Sequence, residues 1–481
     1  MVRARHCHLG EDRPPGHDPR PHLAHGRVWI YDPTATSHRA ASSWSPLAAC
    51  GTWAGAMRVA AWLCEAAQPR NDTVSDGDYW YAQARKALAP YLFAAAVAGR
   101  TMRDVVRWID QQQRGEVEQI LRDRSGYHAA LQELLASPGG KERHKQLCQE
   151  HGAIIRTAML EEAILDGQPL PGPNIAKWPD STQAAFLRRK NAAAAAELET
   201  EYADEAAEVA ETNRRNGHDA GGSDALIAAQ ALWDKEARLR GSVFATVENV
   251  IAGYADPNVA AAAQLDATSI DLADWLAADN TIFVIAPAHE QARLRPVLTV
   301  LVQQAIRTAY ETANKNGGTL ARPLLVLLDE AGNIAPLRDL PTVASTARSH
   351  GISLVTIWQD LAQLKAIYAD RARTVLNNHQ AKLFGAGIAD DNTLEYLSRL
   401  VGDQPHTDVN RSGELHGPRR TVSEHTTWRR AAPADTLRRL PRDHAILLYG
   451  NLAPIHLRLR PWYETRRFRR FRVASEDIAR A

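Results

Sequence analysis

The sequence predicts an α/β protein whose sheet domain is interrupted by a block of helices. After Gly241, short and continuously apolar runs alternate with helical periodicities, the pattern of a mostly parallel sheet covered on both faces. Between about Gly77 and Gly241 the apolar residues recur only at helical spacing, and one β-type run, GRVWIYDP (Gly26–Pro33), precedes them. The helical block therefore interrupts an α/β domain whose first piece lies before it.

A chain of 481 residues with 45% hydrophobic content can bury a full-sized core, and its length suits two or three domains. Lys and Arg number 57 against 56 Asp and Glu, so the net charge does not announce nucleic acid. Charge is distributed unevenly, with acid in ELETEYADEAAEVAE (Glu197–Glu211) and base in RRFRRFR (Arg466–Arg472). Cys7, Cys50, Cys64 and Cys148 have no CxxC spacing, which fits a reduced compartment and argues against a zinc ribbon or a disulfide scaffold. No apolar run approaches the roughly 18–20 residues that cross a bilayer, and the start has no signal core, so the expectation is a soluble, cytoplasmic chain.

Residues 1–25 are rich in Pro, His, Arg and Gly without periodicity and read as an unstructured leader; their histidines lack the fixed spacing of metal ligands. The run GRVWIYDP then opens ordered structure. Asp78–Gly99 carries a helical stripe of Trp80, Ala84, Ala87, Leu88, Tyr91 and Leu92. Further helices are expected at Thr101–Arg114, Gly115–Ser125, Tyr127–Ser137, Lys141–Leu165 and about Ser181–Asn213, the last a solvated Ala/Glu helix. Strands are expected at Thr281–Pro287, Pro323–Glu330, Ser353–Gln359, Ala381–Gly387 and Ala445–Gly450. Helices are expected between them at Leu294–Asn314, Leu337–His350 and Ala369–His379.

The stretch PLLVLLDEAGNIAPL (Pro323–Leu337) ends an apolar strand in two adjacent carboxylates, Asp329 and Glu330. Such a pair either caps the next turn or holds magnesium and activates water in a nucleotide-hydrolysing motor. Gln359 ends the next strand in LVTIWQD, where doubly wound sheets bind ligands. Arg348, in TARSHG just before that strand, is expected near the rim of the same crevice, where a guanidinium reaches a phosphate.

Pro323–Asp403 resembles the nucleotide-binding domain of the TraG/TraD-type coupling proteins of type IV secretion and conjugation. The likeness extends back through GSVFATVENVIAGYADPNVAAA (Gly241–Ala263) and YDPTATSHRAASSWSPL (Tyr31–Leu47), and is most specific at DEAGN and Ala369–Asp403. It implies a RecA-like sheet with helices on both faces and an all-α inserted domain. Membrane-anchored hexameric ATPases that engage relaxosome-bound DNA are likewise implied. Asp329 would then bind the magnesium shell of ATP, Glu330 would orient water, Gln359 would sense the γ-phosphate, and Arg348 would be an arginine finger for a neighbouring subunit. The implied partners are single-stranded DNA with relaxosome proteins, the secretion channel, and further copies of the chain. The implied location of the full-length family is the cytoplasmic face of the membrane.

The expected division is a leader (1–25), a first piece of the RecA-like domain (26–76), an all-α insert (77–240), the main nucleotide-binding and partner-recognition domain (241–460) and a basic tail (461–481). Arg466, Arg467, Arg469 and Arg470 in the tail either meet nucleic-acid phosphates or form a solvated basic surface. One element departs from the pattern. No G-x-x-x-x-G-K-[ST] occurs, and the nearest match, SPGGKERHK around Lys141, lies in the helical block. The reading is therefore the C-terminal portion of a coupling ATPase, with ATP binding by this chain alone in doubt. A non-catalytic truncated homologue acting as an interaction module is the alternative, and an FtsK-like DNA motor is a third reading.

Overall fold

Strand β1 (Val28–Tyr31) ends at Asp32-Pro33, where the Asp32 carboxylate accepts from the amides of Thr34 (3.2 Å) and Ser37 (2.7 Å) and from the Thr34 hydroxyl. This self-bonded turn redirects the chain. β1 pairs in parallel with β2 (Thr281–Val284), Val28 opposite Thr281, so strands on either side of the helical block are direct neighbours. Gly26 permits the approach, because a Cβ there would overlap the Asp279 carbonyl. The computed structural model describes residues 26–466 and Phe468, apart from 38–39, 69–76, 125–126, 166–173, 176–177, 216–219 and 414–419. The leader and Arg467, Arg469 and Arg470 lie outside the described residues.

Between the two strands run α1 (Trp53–Ala67), α2 (Gly77–Val97), α3 (Met102–Asp110), α4 (Gly115–Arg124), α5 (Tyr127–Ala136) and α6 (Pro138–Leu165). They are followed by α7 (Asp180–Glu201), α8 (Ala203–Arg215), α9 (Ala220–Trp233), α10 (Ala237–Ile251), α11 (Pro257–Ala262) and α12 (Leu272–Ala277). Local chemistry sets several starts: Thr52 caps α1 by accepting from the Gly55 amide, Thr101 and Asp104 form a capping box on α3, and Asp256 caps α11 with Pro257 in its first turn. Of the SPGGKERHK stretch, Pro138–Lys145 form the first two turns of α6 and not a loop.

After β2 come α13 (Gln291–Lys315), β3 (Leu324–Leu328), α14 (Ala331–Ile334), α15 (Leu340–Thr346) and β4 (Ile352–Thr356). Then follow α16 (Leu361–Tyr368), α17 (Ala372–Asn378), β5 (Ala381–Gly385), α18 (Asp391–Val401), β6 (Asp403–Gly413), β7 (Arg420–Arg430), α19 (Ala434–Arg438), β8 (His444–Tyr449) and β9 (Ile455–Arg458). β3 and β4 are parallel with Leu324 opposite Ile352. The later pairs, β5 with β8, β8 with β9 and β6 with β7, are antiparallel, so the strands are mixed in direction. The β6–β7 ribbon of eleven residues per strand had no counterpart among the expected strands.

Two features of the core add to the expected layout. The boundary at 77 does not coincide with a break in the core, since Leu88, Leu92, Trp108, Leu121, Ala229 and Phe244 belong to the same apolar cluster as Val284, Val297 and Val326. Helices α5 to α8 instead hold small clusters of their own, Ala130, Leu131 and Ala206 in one and Leu147, Ala194 and Leu198 in another. The two faces of β3–β4 differ in burial. Leu324, Val326 and Leu328 are buried, whereas Leu325 (44%), Val355 (41%) and Ile357 (45%) leave the other face of β3–β4 exposed to solvent.

Core continuity has a measurable consequence. Leu63→Ala, on α1 in the main core, is expected to cost the whole fold about 2–5 kcal/mol, whereas Leu198→Ala opens only α5 to α8. Native-state hydrogen exchange distinguishes the two, and a global loss from Leu198→Ala would count against separate clusters. The Asp32 turn sets an acid dependence. Burial would raise this carboxyl's pKa, but the bonds from Ser37, Thr34 and Thr36 together outweigh it and hold it below its usual value. Its contribution is therefore full above the ordinary carboxylate pKa of about 4 and is lost as pH falls through the lower folded value. Thermal melts of Asp32→Asn should start lower near neutral pH and fall less steeply than the parent below about pH 4.

Candidate functional site

β3 forms because five apolar residues in a row suit a strand packed against the core, and its ladder with β4 continues past its C-terminal end: the Ile357 amide donates to the Leu328 carbonyl at 2.9 Å and the Ala331 amide to the Ile357 carbonyl at 3.1 Å. This register places the carboxylate turn and the Gln359 segment at the same C-terminal edge. Asp329 follows the alternation of the open face, after Leu325 and Leu327, as Gln359 follows Ser353, Val355 and Ile357. Asp329 is half-buried, and its carboxylate receives no hydrogen bond or ion pair from the described residues.

Glu330 is held differently. Its backbone is left-handed (φ 57°, ψ 48°), a conformation that costs a non-glycine residue roughly 1–2 kcal/mol, and its side chain is buried. Gln291, itself buried at the start of α13, donates from Nε2 to Glu330 Oε2 at 3.2 Å. One turn further along α13, Arg295 Nε donates to the Asn333 carbonyl (3.1 Å), and one turn beyond that the Thr299 hydroxyl donates to the Ile334 carbonyl (3.4 Å). Residues 291, 295 and 299 are thus an i, i+4, i+8 polar stripe that fastens the carboxylate turn to α13.

The turn is gripped from its other side by α16. Asp360 caps this helix by accepting from the Gln363 amide (2.7 Å). The Gln363 side chain then accepts from the Gln359 amide (3.2 Å) and donates to Asn333 Oδ1 (3.4 Å). It lies so close to Gly332 that a Cβ there would come within 2.8 Å of Gln363 Cδ. Gln363 therefore joins the Gln359 segment to the Asp329–Glu330 turn. The Gln359 side chain itself is exposed.

Arg348 is not at this crevice. It sits in a single 3-10 turn (Ala347–His350) that precedes Ile352, and Ile352 is opposite the first residue of β3. The guanidinium therefore lies at the N-terminal edge of the sheet, a strand length of roughly 16 Å from the carboxylates, and donates to Gln380 Oε1 at 2.7 Å. A residue before a strand and residues after its parallel neighbour end on opposite edges. Arg348 is exposed there and does not reach the carboxylates of its own chain. Arg466 is exposed near the end of the described residues. Gln291 had no sequence signal, since it is one polar residue at the start of a long apolar helix. Gln363 had one: Asp360-x-x-Gln363 has the spacing of a capping box.

The family model for conjugative DNA transfer by the type IV secretory system matches residues 175–477. The chain belongs to this family. Among the family's curated relatives, the conjugal transfer protein TraG of Escherichia coli is 27% identical over 187 residues, 36% of this chain and 28% of the relative. Protein VirD4 of Agrobacterium fabrum is 26% identical over 221 residues, 45% of this chain and 32% of that protein. The matched stretches thus span about a third or less of those proteins. Among solved structures, the bacterial conjugative coupling protein TrwBdeltaN70 in its unbound form superposes with a TM-score of 0.56 at 13% identity, covering 96% of this chain and 77% of that one. The plasmid coupling protein TrwB in complex with ADP and Mg2+ gives 0.51 at 13% identity, over 90% and 74%. The fold is that of the RecA-like coupling proteins, and the chain is similar to the TraG proteins of conjugal transfer. Among the described residues no helix is long and apolar enough to cross a membrane.

Gln363→Ala isolates the link between turn and loop. The Gln359 amide is expected to exchange at least about tenfold faster, while the free energy of global unfolding changes by no more than about 1 kcal/mol. Unchanged exchange at Gln359 would show that the side chain does not hold the loop.

Proposed function

We propose that this chain contributes the carboxylate half of an ATP-driven coupling protein that links relaxosome-bound DNA to a type IV secretion channel at the cytoplasmic face of a membrane. The observation that carries the reading is the β3–β4 register, which brings Asp329, Glu330 and Gln359 to one edge of a family fold. Asp329, without a partner among the described residues, would hold the hydrated magnesium of ATP. Glu330, fixed by Gln291, would orient water, and Gln359 would respond to the terminal phosphate. Arg348, on the opposite edge, suits a finger only for the site of another copy, in a homo-oligomer. The exposed Arg466 and the arginines that follow it in sequence would meet DNA or relaxosome proteins.

The residues fit the magnesium side of such a site and not its phosphate side. No G-x-x-x-x-G-K-[ST] occurs in the 481 residues, so the backbone cradle for the β- and γ-phosphates has no counterpart here. The open face of β3–β4, with Leu325, Val355 and Ile357, offers the place where a covering segment would bring it. The same absence supports a second reading, a non-catalytic interaction module that keeps the fold and partner surfaces.

Two measurements separate these readings. Calorimetry with magnesium and ATP should give at best millimolar binding for the chain alone, and submicromolar binding would reveal a phosphate site of another kind. In mating assays, Asp329→Asn and Glu330→Gln should each lower plasmid transfer by at least about 100-fold if the chain works in a hydrolysing assembly. Transfer at the parental frequency with both carboxylates replaced would leave the interaction module.

A further inference from the structure

A groove of about 730 Å³ lies far in sequence from the carboxylate edge, between α1, α2 and the end of α9. Its lining is unusual in two respects. Ala54, Ala61, Ala228 and Ala231 supply small side chains from two helices, with Met57 and Leu232 between them. Met57 is 43% exposed, which is high for an apolar side chain lining a concave surface. Around these residues stand Arg58, Arg85, Lys86 and Lys235, and no carboxylate lines the groove. None of these four cations lies within ion-pairing distance of a carboxylate among the described residues.

We propose that this groove is a docking site for an acidic amphipathic helix of a partner protein. The small side chains let a helix backbone approach closely, as alanine does wherever helices pack tightly. Met57, with the exposed Ala54 and Ala231 beside it, would then meet the apolar stripe of that helix, and the four cations would meet carboxylates flanking the stripe. An exclusively ionic ligand leaves the apolar lining unused. A single-stranded nucleic acid fits less well, because such ligands need free aromatic faces. The one aromatic in the lining, Trp53, is half-buried and committed to an edge contact with Phe93 at 6.1 Å between centroids. The chain's own acidic helix α8 exposes Asp204, Glu205 and Glu208, but its apolar side, Ala206 and Val209, is already packed against α5. A second copy would therefore present charge without the apolar stripe. The inference is independent of nucleotide handling, since no residue of the groove touches the carboxylate turn.

The test uses the full chain and a synthetic helical peptide of about 18 residues with Leu at one face, Glu flanking it and Ala elsewhere. Fluorescence anisotropy should show saturable binding that weakens as NaCl rises from roughly 0.05 to 0.5 M. The double variant Arg85→Glu, Lys86→Glu, at exposed positions of α2, should weaken binding at least about tenfold, and so should Met57→Glu on α1. Circular dichroism checks that the variants stay folded, and a compensating peptide with Lys in place of Glu should bind the double variant and not the parent. Failure of the acidic peptide to bind overturns the proposal, as does equal binding of an isomer whose Leu and Glu are scrambled. Binding of a 20-nucleotide single strand that is lost in the double variant would assign the groove to nucleic acid instead. Concentration-dependent self-association lost in that variant would assign it to a second copy.

Discussion

The carboxylate turn depends on three side chains of α13 spaced one turn apart. The helix is buried along most of its length through Leu294, Val297, Leu298, Val300 and Leu301, so it cannot rotate without exposing its apolar surface. Fixing the helix fixes Gln291, Arg295 and Thr299, and each of them meets a polar atom of the segment Glu330–Ile334. A shift of that segment would leave several buried polar groups unmatched at once, at roughly 1–3 kcal/mol each. This is enough to hold Glu330 in a left-handed backbone that it would not otherwise adopt.

The second grip, from α16, has a different character. Gln363 contacts both the Gln359 amide and Asn333, at 3.2 and 3.4 Å, and both bonds are made by one flexible side chain near the surface. The α13 side is a fixed anchor, and the α16 side is a link that a change at the sheet edge can displace. Gly332 matters to this arrangement because only a residue without a side chain leaves room for the Gln363 amide. A movement of the Gln359 loop would thus be felt first at Asn333, three residues from the buried Glu330 carboxylate.

Much of the fold was legible because burial imprints periodicity. The expected helices at 115–125 and 127–137 and the expected strands at Thr281, Pro323 and Ser353 each correspond to an observed element within a few residues. The β6–β7 ribbon was not legible, since DVNRSG and TVSEHTTW have no apolar face and their strand character comes from pairing across the ribbon, including Arg429 with Asp408 and Arg430 with Asp403. The continuity of α2 and α9 with the main core was hidden for another reason: helical spacing tells which face is buried but not against which element. Arg348 was misplaced by a matter of direction. Its position before β4 already fixed it on the edge opposite the carboxylates once β3 and β4 were parallel.

The bare face of β3–β4 joins these points. A sheet layer buries one side on helices and ordinarily needs a second layer for the other, yet Leu325, Val355 and Ile357 stand in solvent. Solvent exposure of three large apolar residues on one face is unfavourable on its own and invites association with any segment that can cover them. The same alternation that exposes them runs on to Asp329 and Gln359 at the strand ends. A segment that covered the apolar part of the face would therefore reach the carboxylate edge as well and reduce the access of water to Asp329.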